Sequence, residues 1–399
     1  MATFISIEEP QRPAAAAPAG FALWQLGFRP FYLLASSFAA LSIALWAAQV
    51  AGWLSHPYLA GPLWHAHEML FGFTLAVVVG FLLTAGRNWS NRPTLTGVPL
   101  AALALLWVAG RVLVLTPFGW AAAIVDAAFP LAAAAALAVP FWAARNRRNY
   151  FFVGLLVLLG VADLAIHLSQ LGVIALPAWL GLQLALDVVL FIMAVMAGRV
   201  VPMFTNNGVP GAGAARHAAV EKAALGAVLA LLAADLLGLH GLALAAIALF
   251  GALAHGLRWA LWKPWKTWRV PIVWVLQLAY AWIPVHLALR AAAELGWVAG
   301  SAATHALTVG AAGGLVIGMM TRTSRGHTAR PLRADGYDLA CYVLVALAAF
   351  VRVLVPLAVP VWALPAIVGS AALWSAGFGL FALRYWPVLT RPRLDGKPG

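Results

Sequence analysis

The sequence predicts an all-α, polytopic membrane protein of about 12 transmembrane helices with both termini cytoplasmic. Three observations carry this. Of the 399 residues, 64% are hydrophobic and only 9% charged, against about a quarter charged in a soluble domain. The apolar residues gather into runs of about 20, the length that spans hydrocarbon. The cations also sort by side. With the termini and every second connection placed in the cytoplasm, all 25 Lys and Arg fall on that side except Arg111, Arg290 and Arg352, as the positive-inside bias requires. A wrong helix count would scramble this alternation. The net charge of +13 therefore follows from topology, with basic side chains at lipid headgroups, and no nucleic-acid partner is expected.

Taken in order, residues 1–20 hold Glu8, Glu9 and a Pro/Ala run from Pro13 to Pro18. They lack the basic and apolar regions of a signal peptide and read as a flexible tail. Residues 21–390 form one transmembrane domain, and 391–399 a C-terminal tail. The spans are predicted at 31–53, 64–85, 98–116, 118–143, 150–173, 177–204, 219–239, 241–262, 271–297, 302–322, 336–358 and 361–386. The fourth and sixth are long enough to tilt. Asn88–Pro93 and Asn146–Asn149 read as turns at headgroup level, with Trp and Arg as anchors. The sixth span closes on Gly198-Arg199-Val200-Val201-Pro202-Met203-Phe204-Thr205, where Pro202 should bend or stop the helix. Only Gly238–Gly241 separates the seventh and eighth spans. The tenth carries Gly310, Gly314 and Gly318, a spacing that lets a neighbouring backbone or a flat cofactor approach. One cysteine, Cys341, excludes an intrachain disulfide and a cysteine zinc site.

The second span opens with Trp64-His65-Ala66-His67-Glu68-Met69-Leu70-Phe71-Gly72-Phe73. Ionisable groups at the mouth of a membrane helix are costly and point to function. At 1.5 Å per residue, His65 and His67, His305, His167 and His286 all fall in the outer half, on four spans. His56 and His240 lie in outer loops, and His217, His255 and His327 on the cytoplasmic side. Imidazole suits iron, copper and zinc, and a haem takes one or two axial ligands. On an ideal helix His65 and His67 point about 200° apart, so they serve two centres or one binds a neighbour. Glu68 and Met69 share the face of His65. Asp163 stands four residues before His167, placed to orient its ring. Arg111, Arg290 and Arg352 either snorkel, pair with Asp126 or Glu294, or hold haem propionates. Asp187 lies near mid-membrane, where a carboxyl is protonated, paired or part of a proton route.

The stretches Trp64–Phe73, Asn88–Pro93, Gly198–Thr205, His305–Gly314 and Met319–Leu332 resemble the NnrS family of bacterial membrane proteins, in the same order and over nearly the whole chain. The block His305-Ala306-Leu307-Thr308-Val309-Gly310 and the later Gly326-His327-Thr328 are the most specific. One departure is Ala329, where the family pattern has glycine. The resemblance implies an inner-membrane protein containing haem, here expected as b-type, and copper, which protects against nitrosative stress. It also implies denitrification as the setting and nitric oxide as the ligand. Outer-half histidines on the second and tenth spans are similar to the axial haem ligands of haem–copper oxidases and nitric oxide reductases, a fold-level analogy. The chain lacks the paired histidines those oxidases carry on a seventh helix, so an oxidase-type copper site is not expected.

The resulting expectation is a haem protein that binds or reduces nitric oxide. His65 or His67 and His305 serve as axial ligands, and His167 and His286 bind a second metal or haem. Glu68, Asp163 and Asp187 handle protons or support the ligands. Electrons would come from quinol or a redox partner protein. The alternative is a transporter or channel for a metal ion or small solute, with the histidines as transient ligands. A third possibility is a sensor or assembly factor that holds haem without turnover.

Overall fold

The computed structural model describes residues 20–54 and 57–397. Apart from Gly20, the expected N-terminal tail lies outside these residues, as does His56. Among the described residues the chain is helical without strands, and twelve long helices follow one another. They are α1 Phe28–Val50, α2 Gly61–Ser90, α3 Gly97–Leu113, α4 Gly119–Ala143, α5 Tyr150–Gln170 and α6 Ala178–Gly208. The second half holds α7 Ala218–Leu236, α8 Leu242–Leu261, α9 Pro271–Glu294, α10 Gly300–His327, α11 Gly336–Ala358 and α12 Ala363–Thr390. Ten are long and apolar enough to cross a membrane. The other two are α3, which is short, and α7, which carries Glu221, Lys222 and Asp235.

Neighbours in sequence pack side by side, and α12 returns to pack on α1. α2 is the most enclosed helix, with 78% of its most apolar stretch buried. That matches a continuous apolar sequence with no polar face. Pro202 does not stop α6, which runs on to Gly208. The expected interface anchors meet: Arg199 lies over Trp89, Phe151 and Phe152 and donates to Asn149 Oδ1 at 2.9 Å. At the same end Arg325 joins Asp335 and Asp338, which cap α11.

Two helices change pitch, and both do so beside histidines. α2 widens into π-helical turns over Glu68–Thr74, directly after His67. α10 does the same over Ala306–Gly313, directly after His305. Such turns cost regular hydrogen bonding and cluster at functional sites. Glycines make room for them. A Cβ on Gly310 would stand 2.5 Å from the Trp282 ring, and one on Gly72 would stand 2.6 Å from Phe38 and 3.1 Å from Arg111.

Ala329 holds φ at +57°, the left-handed region that glycine enters freely and alanine does not. Ala329→Gly is expected to raise the unfolding midpoint in detergent by the equivalent of about 0.5 kcal/mol. Strain relief of about 1–2 kcal/mol exceeds the added entropy of the unfolded chain. A lower midpoint would contradict a strained turn.

Candidate metal centre and adjoining cavity

His67 of α2, Asp126 of α4, and Asp163 and His167 of α5 are all buried, with ligand atoms within 4.8 Å of one another. His67 Nε2 lies 2.7 Å from Asp163 Oδ1 and 3.6 Å from Asp126 Oδ2. His167 Nε2 lies 3.5 Å from each of the same two oxygens. A tetrahedral ion with bonds of about 2.0–2.1 Å needs ligand-to-ligand edges of about 3.4 Å. Three of the four separations are already close to that, and only the His67–Asp163 contact would have to open.

Hydrogen bonding around the cluster sets the tautomers. Tyr58 donates to the His167 carbonyl at 3.0 Å, and its oxygen lies 3.3 Å from His167 Nδ1. Tyr58 sits between the helices, and burial, with Asp163 and Asp126 nearby, pushes its phenol up to about 12, so it remains a donor. Its oxygen is then free to accept from Nδ1–H, which leaves the lone pair of His167 Nε2 facing the carboxylates. On the other side, His67 Nδ1 donates to Glu68 Oε1 at 2.9 Å, an arrangement that orients metal-bound imidazole.

His167 Nε2, Asp126 Oδ2, Asp163 Oδ2 and Glu68 Oε2 are buried acceptors with no donor. Burying such groups unpaired is costly, and two of them, His167 Nε2 and Asp126 Oδ2, lie 3.5 Å apart at the place a cation would occupy. The charges agree. Glu68, Asp126 and Asp163 meet one guanidinium, that of Arg111, bonded to Glu68 Oε1 at 2.5 Å and to Asp126 Oδ1. The deficit is two positive charges, which a divalent ion supplies. Without the ion, a proton on His67 Nε2, donated to Asp163, covers part of it, and the ion would displace that proton. Two nitrogens and two oxygens suit zinc, iron(II), manganese or copper(II).

His65 precedes His67 by two residues and serves a different place. With His305, Arg352, Met69, Gln183 and Trp374 it lines a cavity of about 310 Å³, within the range of ligand and cofactor pockets. His305 Nδ1 donates to the Ser301 carbonyl at 2.7 Å, leaving Nε2 as its free lone pair. The His65 ring stacks on Trp46, with centroids 4.2 Å apart, and its buried Nδ1 has no partner. Both rings line the cavity, and the chemistry of two imidazoles there fits an iron.

Several site residues fall elsewhere than the sequence suggested. Arg111 pairs with Asp126, one of the alternatives the sequence left open, and with Glu68, whereas Arg290 pairs with Asp187 and Asp235 and not with Glu294, so neither is free for an anionic cofactor. Only Arg352 of the three reaches the cavity. Glu68 does not share the cavity face of His65. Its carboxylate turns instead to Arg111 and His67. Asp163 meets both His67 and His167. His286 joins neither centre: its Nδ1 donates to the Ala303 carbonyl at 2.7 Å. Asp187 stands beside the cavity, behind Gln183. Asp126 was legible only as a partner for an arginine, although a carboxyl inside an apolar span was a signal in its own right. Tyr58, in a connection, gave no signal.

Fold and site together define a polytopic, all-α membrane protein with a buried histidine–carboxylate cluster that fits a metal ion. The chain belongs to the NnrS family: the family model described as NnrS protein matches residues 22–393. No curated protein matches it.

Proposed function

We propose that the protein holds haem, of the b type, in the cavity between α2 and α10 and binds nitric oxide there, protecting a bacterium from nitrosative stress at its inner membrane. One observation carries this reading: His65 and His305, from helices far apart in sequence, line one cavity with Arg352 and keep ring nitrogens free. His65 and His305 would ligate the iron, one of them giving up its place when nitric oxide binds, and Arg352 would pair with a propionate. Bound haem supplies an iron that takes up nitric oxide and passes electrons to it. Reduction consumes electrons and protons, with quinol or a redox partner protein as the source of electrons. The His67 cluster would hold the second metal, copper(II) among the ions its donors suit.

The test is an optical spectrum of the purified protein, oxidised, reduced, and reduced with nitric oxide, with metals counted in the same sample. A Soret band that moves on adding nitric oxide is the expected result. His305→Ala and His65→Ala should each lose most of that band while keeping the helical circular dichroism. A His305→Ala protein with unchanged haem content and spectrum would sink the ligand assignment. Protein without haem, purified from cells well supplied with it, would overturn the proposal.

A further inference from the structure

A line of polar side chains that neither centre uses joins the cavity to the end of the bundle. Gln183, in the cavity wall, donates from Nε2 to Asp187 Oδ1 at 3.1 Å. Arg290 Nη1 lies 3.4 Å from the same oxygen, and Arg290 Nη2 donates to Asp235 Oδ1. Asp235 is the last residue but one of α7. Glu294, one helical turn beyond Arg290, ends α9 and accepts from the Gly241 amide at 3.0 Å. His240 Nδ1 lies 3.8 Å from Glu294. Burial is graded along this line: the side chain of His240 is 79% exposed, Glu294 21%, Asp235 9% and Asp187 2%. The bonded part, Asp235–Arg290–Asp187–Gln183, runs from the end of α7 to the cavity wall.

Its inner part is incomplete as an ion pair. Two carboxylates meet one guanidinium, and Asp187 Oδ2 and Asp235 Oδ2 are buried with no partner. One negative charge is in excess in a dry place, and a proton on either free oxygen neutralises it. We propose that Asp187, Arg290 and Asp235 form a proton-transfer station that takes protons at the Asp235 end and delivers them to the cavity. A proton from solvent water adds to Asp235, passes from Asp235 to Asp187, and leaves Asp187 for water in the cavity. Each hop forms one O–H bond and breaks another, and no oxidant or reductant is involved. Arg290 keeps the carboxyls together. Gln183 is a positioning residue: it occupies Oδ1 of Asp187 and leaves Oδ2 to carry the proton. The consumer of the protons rests on the haem and nitric oxide reading; the proton site itself does not.

Infrared spectroscopy of the purified full-length protein in H2O and D2O tests this. We expect a carboxylic-acid C=O band that moves promptly in D2O and is missing in Asp187→Asn. In Asp187→Glu it should be displaced but still present, which keeps the assignment open to test if the asparagine variant folds poorly. Asp235→Asn leaves one carboxylate to one guanidinium and should also remove the band. Gln183→Leu should move the band without removing it. A static ion pair linking α6, α7 and α9 would show no such band, or one that ignores D2O, and either outcome overturns the proposal. So does an Asp235→Asn protein that keeps the band unchanged. The Soret band of the same samples separates the two readings, since protein without haem still shows the acid band if the station exists.

Discussion

Arg111→Ala will destabilise the folded protein by about 3–5 kcal/mol, because removing one partner from a buried ion network leaves uncompensated charge behind. Arg111 is 5% exposed and is the cation shared by Glu68 and Asp126. Without it, three carboxylates share a pocket with two histidines. The loss is measured as a shift in denaturant or thermal unfolding in detergent, with metal removed. Saturating zinc should recover part of it, since the ion supplies charge at the same place. Arg111→Lys should fall between the two, because an ammonium has no fork with which to hold two carboxylates at once. A loss under about 1 kcal/mol, the size of an exposed pair, would mean that the cluster is wetter and less charged than the buried geometry requires.

The second large effect is on metal affinity. His167→Ala removes one of four ligands, the one whose free nitrogen faces both carboxylates. Zinc retained after equilibrium dialysis should fall by more than a hundredfold in affinity, beyond the roughly 10–100-fold typical of losing a group that only orients a ligand. Tyr58→Phe should show that smaller loss, because the ring of His167 would no longer be held by the phenol. The apparent affinity should also rise with pH while the ion competes with the proton on His67. Equal zinc retention by the His167→Ala and unaltered proteins would remove this cluster from consideration as a metal site.

The membrane class and the positions of the helices were legible because both follow from hydrophobicity and length, which are local properties. Each predicted span overlaps a helix, and the ends differ where polar residues continue a turn, as at Thr323–His327 of α10. The histidines at the head of α2 and in α10 were also legible, since polar groups in apolar spans are conspicuous. Which of them meet was not. Ideal helix geometry separated His65 from His67, in agreement with their two destinations. The same geometry put Glu68 with His65, whereas its carboxylate bonds Arg111 and His67. No composition or period announces which neighbour a buried carboxylate will meet. Arg111 and Arg290 had several possible anions in sequence, and only the packing of α3 against α4, and of α7 and α9 against α6, chose among them.

His65 and His67 stand on one turn of one helix and reach into different sites. Whatever fixes one ring also fixes the backbone that aims the other. Binding at the two places is therefore linked, and linkage is reciprocal: if the ion tightens the hold on a guest in the cavity by some factor, the guest tightens the hold on the ion by that same factor. Under the proposed function, and with coupling of that sign, protein lacking one guest would hold the other less tightly as well.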